Sequence, residues 1–377
     1  MISYGKQSIN QDDIDAVIGV LKSDSLTQGP KVVEFENDLA KYCKATYVKV
    51  VNNGTAALHL AYLAIGLEPG DIVWTTANTF VATANAALYC GATVDFVDID
   101  LRTYNLSINS LKEKLMQAKK DNKLPKLLVP VHFAGQSCEM KAIWELSKEY
   151  GFKVVEDASH ALGGEYLNKK VGNCEYSDMA VFSFHPVKMI TTGEGGAITT
   201  NNKQLDEKIE LLRSHGITKD VIKFDNKSDG DWYYEQQALG FNYRLTDIQS
   251  ALGISQLKRL DNFVTKRRKI AKQYCDQLND DILPYQHPDT NSSWHLFVIQ
   301  TKNRKEIYQN LREQDIMAQV HYIPVVSQPY YQDIGYGIEQ YPSTNQYYQN
   351  TLSIPLYYGL SDADQKLVVS SIRELLQ

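Results

Sequence analysis

The chain has 377 residues, of which 43 % are apolar and 22 % charged, with a net charge of −6. Those figures suit a globular protein with one large domain and a smaller companion, and the acidic balance argues against nucleic acid as a partner. No apolar run approaches the ~20 residues of a membrane span, Met1–Lys6 lacks the features of a signal peptide, and five scattered cysteines with no Cys-x-x-Cys pair read as reduced thiols of a cytoplasmic protein.

In chain order, residues 9–21 read as a helix capped by Asn10, with acids in its first turn. Leu26 to Pro30 reads as a turn and Val32 to Cys43 as a second helix. Strand-like and helix-like segments then alternate. The strands are Tyr47 to Val51, Ile72 to Thr75, Thr93 to Val97, Lys126 to His132 and Lys153 to Val155. The helices between them are Gly54 to Ile65, Val81 to Cys90, Ile108 to Lys119 and Glu139 to Tyr150. Met179 to Phe184 and Ala197 to Thr200 are further strands, joined through a glycine-rich turn at Gly193 to Gly196. Lys203 to Ser214 is helical, Asp220 to Gln237 a long loop, and Thr246 to Leu257 and Leu257 to Leu278 are helices. The run Lys266 to Lys269 reads as the solvated face of the last of these. Beyond it, Trp294 to Gln300 and Ala318 to Tyr322 read as strands, Arg304 to Gln314 and Ala363 to Leu376 as helices, and Gln328 to Asn350 as a Tyr- and Gln-rich stretch.

The rhythm and the Val-rich strands predict an α/β fold: a mainly parallel sheet covered by helices on both faces over residues 1–255, and a smaller α+β domain over 256–377. In such sheets ligands gather outside the carboxyl ends of the strands, so the polar residues there draw attention. Lys188 follows Ser183-Phe184-His185-Pro186-Val187, where Pro186 ends the strand. A lysine on such a loop, partly shielded from water, can lose its proton and act as an amine nucleophile, although an arbitrary loop lysine is usually solvated. Gly54 and Thr55 stand where a strand gives way to a helix, which makes an anion site or an ordinary helix start. Asp157 can pair with a protonated pyridine nitrogen or cap a helix. His160 either faces the same site or is a buried histidine satisfied by backbone. Phe80 can stack on a ring or belong to the core, and Asn242 and Arg244 can contact an anion or lie on the surface. No nucleotide-binding glycine motif and no metal-ligand spacing is present.

Asp157 within Glu-Asp-Ala-Ser-His-Ala-Leu-Gly, with Ser-Phe-His-Pro-Val-Lys and Thr-Thr-Gly-Glu-Gly-Gly downstream, resembles the lysine region of the DegT-type nucleotide-sugar aminotransferases. The likeness extends to Leu26-Thr27-Gln28-Gly29-Pro30, Asn53-Gly54-Thr55, Thr79-Phe80-Val81, Arg213-Ser214-His215-Gly216 and Gly240-Phe241-Asn242-Tyr243-Arg244. Within that family, Ser3-Tyr4-Gly5, the Ser-Phe-His-Pro-Val-Lys form and Ala318-Gln319-Val320-His321-Tyr322 resemble the UDP-4-amino-4,6-dideoxy-N-acetyl-β-L-altrosamine transaminases of pseudaminic acid synthesis.

The resemblance implies the aspartate aminotransferase fold (type I) and pyridoxal 5'-phosphate as cofactor, with no metal. Lys188 would hold the cofactor covalently and move the proton, Asp157 would hold the ring nitrogen, and Phe80 would lie against the ring. Gly54, Thr55 and Ser183 would bind the phosphate, with Asn242 contributed by the other subunit of a homodimer, and His160 would complete the cofactor site. Tyr4, Asp24, Ser25, Leu26, Thr27, Arg244, Gln319, Val320, His321 and Tyr322 would contact the substrate. The implied reaction moves an amino group from L-glutamate, leaving 2-oxoglutarate, to a UDP-linked 4-keto-6-deoxy amino sugar. Alternatives keep the cofactor but change the sugar to UDP-4-keto-6-deoxy-GlcNAc, UDP-4-keto-arabinose or a dTDP-keto sugar. A non-catalytic protein on the same fold is the reading from a different class. A dehydratase is disfavoured because that branch carries histidine where this chain has Lys188.

Overall fold

A computed structural model describes residues 1–376. The chain opens with α1 (Gln11–Leu21) and α2 (Pro30–Cys43), then runs through β1 (Tyr47–Val51), α3 (Gly54–Ile65), β2 (Ile72–Thr76), α4 (Val81–Tyr89), β3 (Thr93–Val97) and α5 (Ile108–Lys120). It continues with β4 (Leu127–Leu128), α6 (Met140–Tyr150), β5 (Lys153–Asp157), β6 (Glu165–Tyr166), β7 (Lys169–Lys170), β8 (Met179–Ser183), β9 (Gly196–Thr200) and α7 (Lys203–Arg213). After β10 (Ile217–Thr218) and β11 (Glu235–Gln236) come α8 (Asp247–Leu257), α9 (Leu260–Gln277), β12 (Thr290–Asn291), β13 (Phe297–Gln300) and α10 (Arg304–Glu313). The chain ends with α11 (Pro329–Asp333), α12 (Pro342–Asn350), β14 (Thr351–Ile354) and α13 (Asp362–Leu375).

The main sheet has the order β1-β9-β8-β5-β4-β2-β3. Strands β8, β5, β4, β2 and β3 pair in parallel, and β9 is antiparallel to both β8 and β1. Six strands therefore share one direction and only β9 opposes them, so the carboxyl ends of β1, β2, β4, β5 and β8 meet on a single edge. Strands buried on both faces need no polar alternation, and β8 and β9 are buried along almost their whole length. Helices α3, α4 and α7 cover one face, with α3 buried nearly all round. Helices α2, α8 and the start of α9 cover the β1–β8 side of the other.

A separate apolar cluster joins α9, α10 and α13 to the antiparallel pair β13–β14, and Ile2 from the N-terminus packs into it. Val325, Val326, Tyr331 and Tyr341 pack the other way, into the core beneath α3 and α4. The terminal segments thus clasp the two clusters together beside the sheet's carboxyl edge.

Caps explain several helix starts. Asn10 and Asp13 form a reciprocal capping box at α1, and Asn53 Oδ1 accepts from Ala56 N–H at α3. Helix α2 has Gly29 at its N-cap, which has no side chain to offer, so Asp247 at the start of α8 substitutes. Its carboxylate accepts from Gly29 N–H at 2.6 Å and Lys31 N–H at 2.8 Å while fully buried. A Cβ on Gly29 would stand 2.8 Å from Asp247 Oδ1, so the close approach demands glycine. Asp247→Ala should strand two donors and cost about 2–4 kcal/mol. Guanidinium unfolding measures it, and a loss under ~1 kcal/mol would mean that water replaces the carboxylate.

Several sequence expectations need correction. Lys126 to His132 is a regular strand only over Leu127–Leu128; Pro130 cannot donate and breaks the ladder, and beyond it the pairing with β5 is reduced to an isolated bridge of Val131 to Asp157. Ala318 to Tyr322 is not a strand: only Gln319 bridges, to Ser353 at the edge of β14. Pro30 starts α2 rather than ending the turn, as suits a first helical position. The Asp220 to Gln237 loop includes β11, paired with β10. The Tyr- and Gln-rich stretch holds α11 and α12. Arg267 is not part of a solvated face: it is 2 % exposed and donates to the carbonyls of Trp294, His295 and Leu356, because α9 lies between the two apolar clusters and presents this side inward.

Candidate active site

The carboxyl edge of the sheet opens into a cavity of about 640 Å³. Its wall includes Gly54 and Thr55 after β1, Thr79 and Phe80 after β2, Val131 after β4, Asp157 and His160 after β5, and Ser183 and Lys188 after β8. The segments outside the sheet add Tyr4, His295, His321 and Tyr322. Helical turns follow β1 and β2 directly, so short loops deliver these residues without long excursions.

Asp157 ends β5 and is 5 % exposed. Oδ2 accepts from Thr83 Oγ at 2.7 Å, and Thr83 is in turn 2.8 Å from Thr79 Oγ, which lies just before α4 begins. Oδ1 accepts from Ser159 Oγ at 2.6 Å and from Ser159 N–H at 3.2 Å. Three donors fix the carboxylate's orientation at the cavity wall.

Lys188 follows the Pro186 break after β8, with its N–H donating to His185 O. Burial pushes its amine down to about 8 from an ordinary 10.5, and the nearby Asp157 carboxylate partly restores the ammonium. Burial likewise holds His321 down to about 3, with Lys188 adding to the effect, and holds His160 and His295 well below the usual imidazole range. The cavity thus sets one amine, available as a nucleophile near neutral pH, among the neutral imidazoles of His160, His295 and His321, with the Asp157 carboxylate acting on it.

At the start of α3 the backbone N–H groups of Gly54 and Thr55 have no intrahelical acceptor, since the Asn53 cap is spent on Ala56. Ser183 stands beside them. A Cβ on Gly54 would lie 3.0 Å from Ser183 Cβ and 3.2 Å from its Oγ, so glycine keeps this corner open. Phe80 is 57 % exposed at the cavity mouth, which excludes its reading as core. A pyridine ring carrying a phosphate and an aldehyde requires an anion corner, a carboxylate and an amine in one pocket, and the residues present fit that group.

Of the residues expected from the sequence, Tyr4, Gly54, Thr55, Phe80, Asp157, His160, Ser183, Lys188, His321 and Tyr322 are brought together here. The others lie elsewhere in the single chain. Asn242 is exposed and bridges Ser214; Arg244 bridges Val51 and has a buried Nε without a partner. Asp24 and Ser25 line a second cavity, of about 770 Å³, between α1, α2 and α8, and Thr27 bridges Thr246 beside the exposed Leu26. Gln319 pairs with Ser353, and Val320 packs on the C-terminal cluster. Thr83, Ser159, His59 and His295 were not singled out from the sequence. The Asp-x-Ser spacing of 157 and 159 is an Asx-turn pattern that signals the serine contact. The four-residue spacing of Thr79, just before α4, and Thr83 within it signals the other. Among the described residues there is no metal-binding cluster of His, Cys, Asp or Glu, and no helix long and apolar enough to cross a membrane.

Comparison with known proteins agrees with this geometry. The UDP-4-amino-4,6-dideoxy-N-acetyl-β-L-altrosamine transaminase of Campylobacter jejuni is 40 % identical over 389 residues, covering 100 % of this chain and 98 % of that protein. Helicobacter pylori PseC, described as an aminotransferase in the biosynthesis of pseudoaminic acid, superimposes with a TM-score of 0.88 at 33 % identity, over 99 % of this chain and 98 % of that one. A Streptococcus pneumoniae protein described as a sugar aminotransferase, solved in its PLP form, gives a TM-score of 0.89 at 26 % identity, over 99 % and 98 % of the two chains. Residues 7–373 match the DegT/DnrJ/EryC1/StrS aminotransferase family. The fold, the amine-and-carboxylate cavity and the full-length match lead to one conclusion: the chain belongs to the DegT/DnrJ/EryC1/StrS aminotransferase family and is a pyridoxal-phosphate-dependent aminotransferase.

Proposed function

We propose that this chain transfers the amino group of L-glutamate to C4 of a UDP-linked 4-keto-6-deoxy amino sugar. The substrate we assign is UDP-2-acetamido-2,6-dideoxy-β-L-arabino-hexos-4-ulose, giving UDP-4-amino-4,6-dideoxy-N-acetyl-β-L-altrosamine and 2-oxoglutarate. The observation that carries the reading is Lys188 facing Asp157 in one cavity, in a chain 40 % identical over its full length to a transaminase of that name.

When bound, the cofactor supplies an electron sink for the carbanion left by loss of a proton next to nitrogen. Lys188 would hold it covalently and, once displaced by the amino donor, would take the Cα proton and return it to the carbon on the far side of the amine nitrogen. Its depressed basicity suits both roles, since a free amine is present near neutral pH. Asp157 holds the ring nitrogen, oriented by Thr83 and Ser159. Gly54, Thr55 and Ser183 receive the phosphate and Phe80 covers the ring. Asn242 and Arg244, which flank the cavity-lining Tyr243 but do not themselves line the cavity of one chain, serve the neighbouring subunit of a cytoplasmic homodimer.

The test is product analysis. The enzyme, with L-glutamate and a panel of UDP-, dTDP- and GDP-linked 4-keto sugars, should aminate the β-L-arabino-hexos-4-ulose at least ~10-fold faster than the others, since one misplaced hydroxyl leaves a buried polar group unpaired. Preference for UDP-4-keto-6-deoxy-GlcNAc, UDP-4-keto-arabinose or a dTDP sugar would reject this substrate while leaving the transaminase assignment in place.

A further inference from the structure

The hydroxyl of Tyr322 lies 3.0 Å from His160 Nε2, at a wall of the cavity that also holds Lys188. The direction of that hydrogen bond is set on the far side of the imidazole. There Ala134 N–H donates to His160 Nδ1 at 3.3 Å, so Nδ1 presents a lone pair. Burial, reinforced by Lys188 and His321, keeps the ring neutral. A neutral ring with an accepting Nδ1 carries its one proton on Nε2.

His160 therefore donates to Tyr322, and the phenol proton must point elsewhere. Among the described residues it has no acceptor; Tyr322 Oη is bonded to His160 alone. The imidazole cannot turn to take it, because its ring packs on His295 at 4.4 Å and its backbone carbonyl is held by Ser293 Oγ at 3.0 Å. The ring of Tyr322 is likewise set, against Phe80 at 5.9 Å and Phe133 at 6.2 Å. The cavity thus contains a pre-oriented O–H donor reserved for its occupant.

We propose that Tyr322 is the general acid for the substrate carbonyl oxygen in transamination, with His160 as its positioning residue. The inference rests on the transaminase reading of the site. When an amine nitrogen adds to a carbonyl carbon, the C=O π pair moves to oxygen, which collects a proton from Tyr322. The phenolate left behind accepts from His160 Nε2–H. A second proton then lets the C–O bond break, its electrons leave with oxygen as water, and the carbon–nitrogen double bond forms. The two protons gained by the oxygen equal the two lost by the amine nitrogen. The same step, reversed, releases 2-oxoglutarate from the amino donor.

Tyr322→Phe keeps the ring and removes only the O–H. In deuterated buffer the holoenzyme exchanges the Cα proton of L-glutamate without making or breaking a carbonyl, whereas release of 2-oxoglutarate requires it. The variant should keep exchange within about 3-fold of wild type and lose ~10²-fold in 2-oxoglutarate release. Without cofactor, nitrogen-15 spectra of histidine-labelled protein, assigned through His160→Gln, should show His160 with a bare Nδ1 and a protonated Nε2. Equal losses of exchange and release, intact release, or a His160 protonated at Nδ1 would each overturn the proposal. If the wild type exchanges glutamate but aminates no nucleotide-linked keto sugar, the sugar assignment fails, and Tyr322 is still decided by 2-oxoglutarate release.

Discussion

Lys188→Ala should abolish transamination, with a loss of at least ~10⁴-fold, because covalent attachment and proton transfer both depend on one amine. Lys188→Arg should fare no better, since a guanidinium stays protonated and cannot add to an aldehyde. Neither change threatens the fold: the side chain projects into the cavity, and the loop is held by backbone bonds such as Lys188 N–H to His185 O and Thr192 N–H to Phe184 O. Wild-type protein should be yellow with bound cofactor and bleach on adding L-glutamate, while the alanine variant should form no stable coloured adduct. The amine also sets a pH dependence. Only the free base attacks, so uptake of pyridoxal phosphate by cofactor-free protein should reach half its maximum near pH 8 and slow about tenfold per pH unit below it. Uptake still rising toward pH 10.5, the value of an ordinary lysine, would show that the amine is solvated and would remove its claim to the role. Near-normal turnover in Lys188→Ala would sink the assignment altogether.

What could be read from the sequence follows from how local each signal is. Strands β1 and β3 and helix α3 fall where the Val-rich runs and the Asn53 cap place them, because continuous burial and a capping side chain are written in adjacent residues. The strand ends after β1, β5 and β8 were legible for the same reason, since a polar residue directly after a buried apolar run stands out, whereas β4 lends the cavity only the apolar Val131. Signals that depend on a distant partner were not. Gln319 extends only because Ser353 bridges it, and β6 and β7 make a two-residue hairpin held on its outer side by β12. Arg267 looks like its basic neighbours in sequence and is buried only because α9 is wedged between two clusters, where three carbonyls accept from it. His295 reaches the cavity from the segment before β13, and nothing in Ser-Ser-Trp-His-Leu points to a site more than a hundred residues from Lys188. Asn242 and Arg244 make the complementary case: the role proposed for them lies with a neighbouring chain, and neither lines the cavity of one.

Asp157→Asn should lower turnover by ~10³-fold while leaving the protein folded, because it removes a charge aimed at the reacting system and keeps the shape. The hydrogen bonds explain why folding survives. The amide oxygen can still accept from Ser159 Oγ and N–H, and the new amide N–H can donate to Thr83 Oγ, which then donates onward to Thr79. Only the charge is lost. That loss has two consequences of known sign. A ring nitrogen facing a neutral amide is no longer held protonated, so proton abstraction from L-glutamate should slow far more than binding weakens. The Asp157 carboxylate also raises the basicity of Lys188 against the effect of burial, so the variant's pH profile for pyridoxal phosphate uptake should shift below pH 8. The second effect separates the proposal from simple damage: a disordered site would expose Lys188 to water and move the profile upward. A kcat within about 10-fold of wild type, with an unmoved uptake profile, would show that the carboxylate neither holds the ring nitrogen nor faces the lysine.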